Sequence, residues 1–290
     1  MEKSQSLHYS QILMVPKPDG TFRMCVDYRA LNDCTADASW LIPDIAEMFR
    51  RIGSQKPKIF GIMDLTQGCH QPPLTFVTRA YTSFITFSGV CQFTRLQFGP
   101  KRAPSYFQEI MATVVLTGLI YMICEMCIDD CTVFGDTNIE FVSRLKLIFE
   151  RFCKRNLYIK ASKYFFGYSE LELVGKVVSE KGLQISRTTI QSILDFPLPT
   201  VSKQLKSFLG IANYLRDFVK GYSILSQPLH QLLTDYNKSR RVVWTPEFTA
   251  AFHEMKLAIS KCTTMHFMSD TAPITLHTDA SDYSVGGYLF

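Results

Sequence analysis

The chain has 290 residues, 47% of them hydrophobic, and a formal net charge of +5. This apolar content excludes a disordered tail and allows one large core or two modest cores. No secretory signal is recognisable at the N-terminus, and the longest uncharged run, from Ile110 to Cys124, is shorter than a typical transmembrane helix, so we expect a soluble intracellular protein.

The N-terminal part of the chain predicts a β-hairpin and a buried strand. Apolar segments at 11–16 and 22–27 are joined by Lys-Pro-Asp-Gly, and Asp-Gly between two such segments indicates a hairpin. Residues 59–65 (IFGIMDL) form a nearly continuous apolar run that contains Asp64 close to its end. This run predicts a buried strand with an acidic side chain at its mouth.

The middle of the chain predicts two more hairpins with a helix between them. Segments 81–87 and 91–96 flank a Ser-Gly turn, and residues 104–116 have the apolar spacing of a helix that begins just after a proline. In 121–134 (YMICEMCIDDCTVF), two apolar arms flank a pair of aspartates. We therefore expect a hairpin that carries both aspartates at or near its turn.

Helices dominate the predicted elements after this hairpin. Apolar residues at helical spacing between 141 and 152 predict the first helix. Ser202 can cap a second helix that continues to Phe218 and stops at Gly221, and Thr245-Pro246 has the N-terminal chemistry of a third. Strands followed by helices indicate an α+β fold.

Positive charge is concentrated in one part of the chain. Residues 140–222 contain 14 Lys or Arg and 7 Asp or Glu, a net charge of +7, while 1–139 and 223–290 are each at −1. This distribution favours a chemical centre followed by a segment that grips a polyanion such as nucleic acid, although solvated lysines alone produce the same balance.

The nine cysteines are an odd number without a disulfide framework, which fits a reducing compartment. Cys124 and Cys127 form a C-x-x-C pair. Buried small side chains in a hairpin explain this pair better than a zinc site, because no second ligand pair lies nearby in the sequence.

The best candidates for catalysis are Asp64, Asp129 and Asp130. Mg²⁺ prefers oxygen ligands, and two-metal nucleotidyl transfer requires several carboxylates close together on a rigid support. A strand that ends near Asp64 beside a hairpin that presents Asp129 and Asp130 would provide that support. Each part also has a simpler interpretation: Asp-Asp is common in turns, and Asp64 could cap a helix. Aspartates at the mouth of buried strands favour the metal site.

At this point the sequence resembles the Pol proteins of gypsy-class long-terminal-repeat retrotransposons over essentially its whole length. Motifs similar to those of the family occur in the same order. They are RMCVDYRALN (fingers), MDLTQGCHQ (first catalytic motif), FGPKRAPSYFQ (second motif), CIDDCTVFG (the Tyr-x-Asp-Asp motif), ELVGKVVSEKG (primer grip), KQLKSFLGIANYLRDF (thumb) and HTDASDYSVGGYLF (start of ribonuclease H).

The resemblance implies a role for each residue that matches a family motif. Asp64, Asp129 and Asp130 would be the catalytic residues and would hold two Mg²⁺ ions, with Mn²⁺ as a substitute. The nucleotide-binding residues would be Lys17, Arg23, Cys69, Phe98, Gly99 and Gln108, where Lys17 and Arg23 contact the triphosphate. Leu173, Val174 and Gly175 would hold the primer end, and Asp279 would be the first ribonuclease H carboxylate.

The resemblance also implies the architecture and the partners. We expect a right-hand polymerase in which 1–181 form the N-terminally truncated fingers and a palm with an antiparallel sheet. Residues 182–262 would form a helical thumb, and 263–290 the incomplete start of a ribonuclease H-like domain. The expected partners are RNA and DNA template-primer, dNTPs and other parts of a Pol polyprotein, with no membrane partner, and the expected location is the cytoplasm, including the inside of a virus-like particle.

Four positions depart from the family pattern. Cys69 stands where a tyrosine excludes a ribose 2′-hydroxyl, so we hypothesise weaker discrimination against ribonucleotides. Cys127 replaces the tyrosine of the Tyr-x-Asp-Asp motif. Pro100 replaces a leucine, and Arg102 replaces a small or amide residue.

The leading interpretation is therefore an RNA-directed DNA polymerase. The alternative is a catalytically silent retroelement remnant that acts at most as a nucleic-acid-binding protein. A polymerase that copies RNA into RNA shares the carboxylates but does not explain the thumb and ribonuclease H resemblance.

Overall fold

The computed structural model describes residues 1–17, 19–37, 40, 42–65, 68–235, 241–267, 273, 275–280 and 285–289. The chain divides into two compact units, Met1–Leu171 and Glu172–Phe290. The three-part division inferred from the sequence, with boundaries at 181 and 262, stays a prediction. None of the helices within these ranges has the length and apolar character that crossing a membrane requires.

The first unit mixes strands and helices along the chain. They are β1 (Glu2–Lys3), β2 (Ile12–Pro16), β3 (Phe22–Val26), α1 (Arg29–Asp33), α2 (Ile45–Ser54), β4 (Ile59–Leu65), α3 (Phe76–Arg79), β5 (Phe84–Thr86), β6 (Gly89–Gln92), α4 (Ala103–Ile110), β7 (Cys124–Cys127), β8 (Asp130–Gly135), α5 (Asn138–Lys154) and β9 (Ile159–Tyr168).

A four-stranded antiparallel sheet with the order β7-β8-β4-β9 positions the candidate site. Successive residues of a strand face opposite sides of a sheet. In β4, Met63 and Leu65 therefore enter the main core, together with Phe107 of α4 and Ile148 of α5. Asp64 projects from the other face. The strand thus buries Met63 and Leu65 on one face of the sheet and presents the Asp64 carboxylate on the other.

The hairpins of the first unit follow the predicted segments, with shorter strands in one case. The β2–β3 hairpin and β4 have nearly the predicted bounds. The second hairpin is shorter than predicted, because 80–82 form a 3-10 turn before β5 and β6 ends at Gln92. Helix α4 ends at Ile110 and continues as one π-helical turn, Met111–Val115, so the predicted helix at 104–116 is not a single α-helix.

The second unit is a small sheet followed by helices, and β10 crosses the boundary between the units. Its elements are β10 (Glu170–Leu173), β11 (Lys176–Ser179), β12 (Gly182–Ile185), α6 (Arg187–Leu194), α7 (Ser202–Tyr214), α8 (Tyr222–Asp235), α9 (Pro246–Ser260), β13 (Leu276–Ala280) and β14 (Val285–Leu289). Apolar residues of the helices, including Leu205, Phe208, Leu229 and Phe252, form a core of their own.

The helix starts in this unit differ in how well the sequence predicted them. The Thr245 side chain accepts a hydrogen bond from the Phe248 amide at the start of α9, as predicted. The prediction that Ser202 caps α7 was wrong. Val201 has the extended backbone of the cap residue, and Ser202 is already the first helical residue. The helix also ends earlier than predicted, at Tyr214, and Arg216–Phe218 form a separate 3-10 turn.

Candidate active site

Asp64 and Asp130 lie directly opposite each other on neighbouring strands. The register of β4 and β8 pairs Asp64 with Asp130, and both residues are half-buried. Directly paired residues project from the same face of an antiparallel ladder, with Cβ atoms about 5 Å apart. Burial, followed by the negative charges of Asp64 and Asp129, raises the pKa of Asp130. The pairing therefore concentrates negative charge on one face of the sheet.

Asp129 occupies the turn between β7 and β8. Cys127 pairs with Asp130, so Ile128 and Asp129 are the two central residues of the turn. This confirms the prediction that the aspartate pair lies at or near the turn of a hairpin: Asp129 is in the turn, and Asp130 begins β8. Ile128 has a φ of 54°, which is a strained conformation for a β-branched residue. Burial and then the charge of Asp64 raise the pKa of Asp129.

The Gln108 side chain bonds to the backbone of this turn. Its Nε2 donates to the Met126 carbonyl over 2.9 Å, and its Oε1 accepts from the Ile128 amide over 3.1 Å. The side chain is fully buried. The family resemblance implied that Gln108 lines the nucleotide pocket. In the structure both ends of its amide bind the backbone of the hairpin, and its role toward a nucleotide stays a prediction.

Gly68 and Cys69 pack against the Asp129 carboxylate. A Cβ atom at Gly68 would lie 2.6 Å from Asp129 Oδ1, so the absence of a side chain permits this approach. Cys69 is 1% exposed, and its Sγ lies 3.9 Å from the same oxygen. Burial, then the charge of Asp129, raises the pKa of the Cys69 thiol to about 12. The thiol is therefore a neutral neighbour of the carboxylate.

Lys163, which the sequence analysis did not single out, contacts the same cluster. Its Nζ donates to Asp64 Oδ2 over 2.6 Å from the adjacent strand β9. The hydrogen bond with Asp64, followed by the charge of that carboxylate and the weaker influence of Asp130 and Asp129, raises the pKa of Lys163. In the sequence, Lys163 is a basic residue among apolar and aromatic ones. This pattern does not indicate which strand lies beside it, so the contact with Asp64 could not be predicted.

A second ion pair on the same sheet was also missed. Glu125 on β7 is fully buried, and Arg51 of α2 donates to its two oxygens over 2.7 and 2.9 Å. Burial raises the pKa of Glu125, while the guanidinium opposes that shift. The pair ties α2 to the strand that leads into the Asp129 turn.

The donor set fits a hard divalent cation in its chemistry. Asp64, Asp129 and Asp130 supply only carboxylate oxygens, and one or two carboxylates with substrate phosphates suffice for Mg²⁺. In the described part of the chain, no three His, Cys, Asp or Glu side chains converge on a single point as a complete metal-binding group. One carboxylate of the three is instead bonded to Lys163, so a cation at this site would compete with an ammonium for Asp64.

Lys17 and Arg23 lie on the β2–β3 hairpin, which forms a sheet of its own. The Lys17 amide donates to Thr21 across the turn, and exposed Arg23 pairs with Val15. Among the described contacts, none joins Lys17 or Arg23 to the three aspartates. Their role toward a triphosphate stays a prediction.

Phe98 and Gly99 lie in a loop that contacts the short helical turn at Gly68–His70 and the Tyr28 ring. The Phe98 side chain is 55% exposed. Its ring lies edge-on to the ring of His70, the residue after Cys69, with 5.3 Å between the two ring centroids. Gly99 has a φ of 116°, and a Cβ atom there would lie 2.8 Å from the Tyr28 ring. Phe98 is therefore an exposed aromatic surface close to the segment that carries Cys69.

The predicted primer-grip residues form a tight turn in the second unit. Leu173 is buried, while Val174 and Gly175 have φ values of 50° and 73°. The Tyr214 hydroxyl donates to the Val174 carbonyl over 2.8 Å, and the Ser186 amide donates to the Gly175 carbonyl over 3.1 Å. The turn is thus held firmly, with its Val174 side chain exposed.

Asp279 lies on strand β13, opposite Gly286 of β14. Its side chain is outside the described residues, so its predicted role as a ribonuclease H carboxylate stays a prediction.

Comparison with known proteins gives a consistent result. A sequence profile described as "Reverse transcriptase (RNA-dependent DNA polymerase)" matches residues 15–267. The chain is 32% identical over 299 residues to the retrovirus-related Pol polyprotein from transposon opus of Drosophila melanogaster, covering 99% of this chain and 30% of that protein. It is 30% identical over 290 residues to the transposon Tf2-3 polyprotein of Schizosaccharomyces pombe, covering all of this chain and 21% of that protein. The chain thus spans less than a third of the length of these relatives.

Solved structures confirm the fold. The foamy viral protease-reverse transcriptase in complex with double-stranded DNA matches with a TM-score of 0.86 at 23% identity, over 96% of this chain and 48% of that one. The same viral protein in complex with an RNA/DNA hybrid matches with a TM-score of 0.82 at 22% identity, over 99% of this chain and 40% of that one.

The expected α+β polymerase fold is therefore confirmed, and so is the relationship to retrotransposon Pol polyproteins. Because the profile covers most of the chain, this protein belongs to the reverse transcriptase (RNA-dependent DNA polymerase) family.

Proposed function

We propose that this chain catalyses RNA-directed DNA synthesis, with Asp64, Asp129 and Asp130 as the metal-binding carboxylates. The observation that carries the proposal is the register of the palm sheet. It sets Asp64 beside Asp130, while the strained turn holds Asp129 next to both. Catalytic groups are commonly held in such strained positions, because the surrounding structure fixes them before substrate arrives.

In nucleotidyl transfer, some residues of this chain would bind the metal ions and others would position the metal ligands. Two divalent cations, Mg²⁺ or Mn²⁺, would lower the pKa of the primer 3′-hydroxyl and stabilise the leaving pyrophosphate. The three carboxylates would hold these cations, and release of Asp64 from Lys163 would free a ligand. Gln108 would keep Asp129 in position by its bond to the Ile128 amide of the turn. Gly68 would leave the space that the Asp129 carboxylate occupies.

Substrate binding would use residues outside the carboxylate cluster. Lys17 and Arg23 would bind the triphosphate, Phe98 and Gly99 would line the nucleotide pocket beside Cys69, and the turn at 173–175 would hold the primer end. The family resemblance supports these roles, and the exposure of Arg23 and Phe98 is compatible with them.

The finer assignments rest on the same resemblance. We propose a gypsy-class element, Mg²⁺ as the usual cation, template-primer and dNTPs as partners, and a cytoplasmic location alongside the other parts of a Pol polyprotein. The names of the relatives support only the relationship to retrotransposon Pol polyproteins.

The test is primer extension on poly(rA)/oligo(dT) with Mg²⁺ or Mn²⁺. We expect extension by the wild type and its loss in Asp129→Asn/Asp130→Asn, because two of the three proposed metal ligands are gone. Asp136→Asn is the matched control, since Asp136 pairs with Lys58 at the far end of β8 and should leave extension unchanged.

Two results would contradict the proposal. Extension that survives the double substitution would show that these carboxylates are not the metal site. No extension by a folded wild-type protein that still binds template-primer would instead favour the catalytically silent, nucleic-acid-binding remnant.

A further inference from the structure

The turn at 173–175 in the second unit presents a strained and exposed apolar side chain. Val174 has a φ of 50°, a left-handed conformation that is unfavourable for a β-branched residue. Its side chain is 40% exposed, while that of the neighbouring Leu173 is buried. A strained residue persists only where the surrounding structure holds it, and such residues are concentrated at ligand-binding and active sites. The strain at Val174 therefore indicates a contact with a ligand rather than a packing role.

Three hydrogen bonds hold the backbone of this turn. The Val174 carbonyl accepts from the Tyr214 hydroxyl over 2.8 Å. The next carbonyl, that of Gly175, accepts from the Ser186 amide over 3.1 Å and from the Thr189 hydroxyl over 3.2 Å. The bonds to Gly175 come from the start of α6, and the bond to Val174 comes from the last residue of α7. Tyr214 thus bonds to the strained residue itself, and the other two bonds fix its neighbour.

A buried lysine restrains the Tyr214 ring. Lys176 of β11 is 5% exposed, and its Nζ lies 4.5 Å from the centroid of the Tyr214 ring and 5.3 Å from that of Phe218. A lysine ammonium within about 6 Å of a ring centroid is attracted to the face of the ring. Because Lys176 lies two residues after Val174, the ring that supports the turn is itself bound by the strand that follows the turn.

We propose that Tyr214 is a positioning residue for the primer. Its hydroxyl holds Val174 so that the exposed side chain contacts the sugar of the 3′-terminal nucleotide. This inference rests on the proposed function, in which the turn at 173–175 holds the primer end. An apolar side chain offers no donor to a phosphate oxygen, so the contact of Val174 is with the carbon atoms of the sugar. Tyr214 acts on the primer only through Val174.

The test is the fluorescence of 2-aminopurine placed at the primer 3′ end, measured with the full chain in EDTA so that no catalysis is needed. Binding of the wild type should change this signal from that of free template-primer. In Tyr214→Phe the signal should return at least about halfway to the free value. The affinity for template-primer, measured by the anisotropy of a dye at the other end of the duplex, should stay within about twofold, since phosphate contacts dominate it.

Tyr222→Phe is the matched control in the same unit. It removes a buried hydroxyl that has no hydrogen-bond partner within the described part of the chain, so its signal should equal that of the wild type. Val174→Gly is the second variant, because glycine adopts this φ without strain and lacks the exposed side chain. Its signal should also return towards the free value, and adding Tyr214→Phe to it should change the signal little further.

A kinetic measurement links the primer contact to the reaction. Addition of one nucleotide to bound primer in a single turnover should be about five- to tenfold slower in Tyr214→Phe, because one hydrogen bond is lost. The affinity for the incoming dNTP should be unchanged, which a general loss of structure would not leave intact.

The outcomes separate this proposal from the proposed function. The positioning role fails, while the polymerase assignment stands, if the wild type extends primers but its 2-aminopurine signal does not change on binding. It also fails if Tyr214→Phe gives the wild-type signal, or if Tyr222→Phe changes the signal as much. A folded wild type with the expected 2-aminopurine responses but no primer extension would contradict the proposed function alone.

Discussion

Replacing Gln108 with methionine tests how the Asp129 turn is held. Methionine has a similar shape but neither donates nor accepts, so the Met126 carbonyl and the Ile128 amide both lose their side-chain partner. Each unsatisfied buried group costs about 1–3 kcal/mol, and relaxation of the strained Ile128 backbone returns part of that cost. We expect a net loss of roughly 2–4 kcal/mol in the free energy of unfolding.

The change should affect activity beyond this loss of stability. Once released, the turn would no longer hold Asp129 beside the other carboxylates, and misplacement by about 1 Å can cost on the order of 100-fold in rate. We therefore expect primer extension to fall at least 100-fold at a temperature where the variant is still folded.

The assay is urea unfolding together with hydrogen exchange at the Ile128 amide. Met111→Leu is the matched control, because Met111 is equally buried just after α4 and a volume-conserving apolar change costs less than about 1.5 kcal/mol. If Gln108→Met were no less stable than this control, or if exchange at Ile128 were unchanged, Gln108 would not be holding the turn.

Three further predictions concern the surroundings of the carboxylates. Gly68→Ala should displace the Asp129 carboxylate, lowering extension at least about tenfold with a small loss of stability, whereas Gly210→Ala, which meets no neighbour within 4 Å, should leave extension unchanged. Lys163→Met should increase the affinity for Mn²⁺ measured by electron paramagnetic resonance, because the cation no longer competes with an ammonium; an unchanged affinity would contradict this. The pKa values of Asp129 and Asp130 are raised in the folded state, so protonation of these carboxyls adds stability at low pH that is lost as the pH rises through the folded-state pKa values. Between about pH 4 and pH 7 in EDTA, the urea midpoint of the wild type should therefore fall. It should fall less steeply in Asp129→Asn/Asp130→Asn, which lacks both groups. Parallel pH curves for the variant and the wild type would contradict that account.

Local patterns in the sequence predicted the strands and the turn that carry the carboxylates. The apolar run at 59–65 and the two arms around the aspartate pair became β4, β7 and β8, because these segments combine burial with a polar residue at one end. The pattern placed the aspartate pair at or near the turn, as the structure has it, but did not indicate that Ile128 and Asp129 are its two central residues. Nothing in the local pattern favours Ile128 in a left-handed conformation, and the bonds from Gln108 that support it come from a distant helix.

The contacts that the sequence did not reveal are all between elements far apart in the chain. Lys163 meets Asp64, and Arg51 meets buried Glu125, only because of how strands and helices are arranged in space. Residue type alone cannot distinguish such a lysine or arginine from a solvated one. The roles of Lys17 and Arg23 toward a triphosphate stay predictions for the same reason.

The most direct test of the central claim is the number of Mn²⁺ ions bound in a complex with dideoxy-terminated template-primer and dNTP. Counted by electron paramagnetic resonance, the wild type and Asp136→Asn should each hold two ions per active site. A variant with Asn at positions 64, 129 and 130 that still binds template-primer should hold at most the ion carried by the triphosphate. Two ions retained in that variant would contradict the assignment of Asp64, Asp129 and Asp130 as the metal ligands.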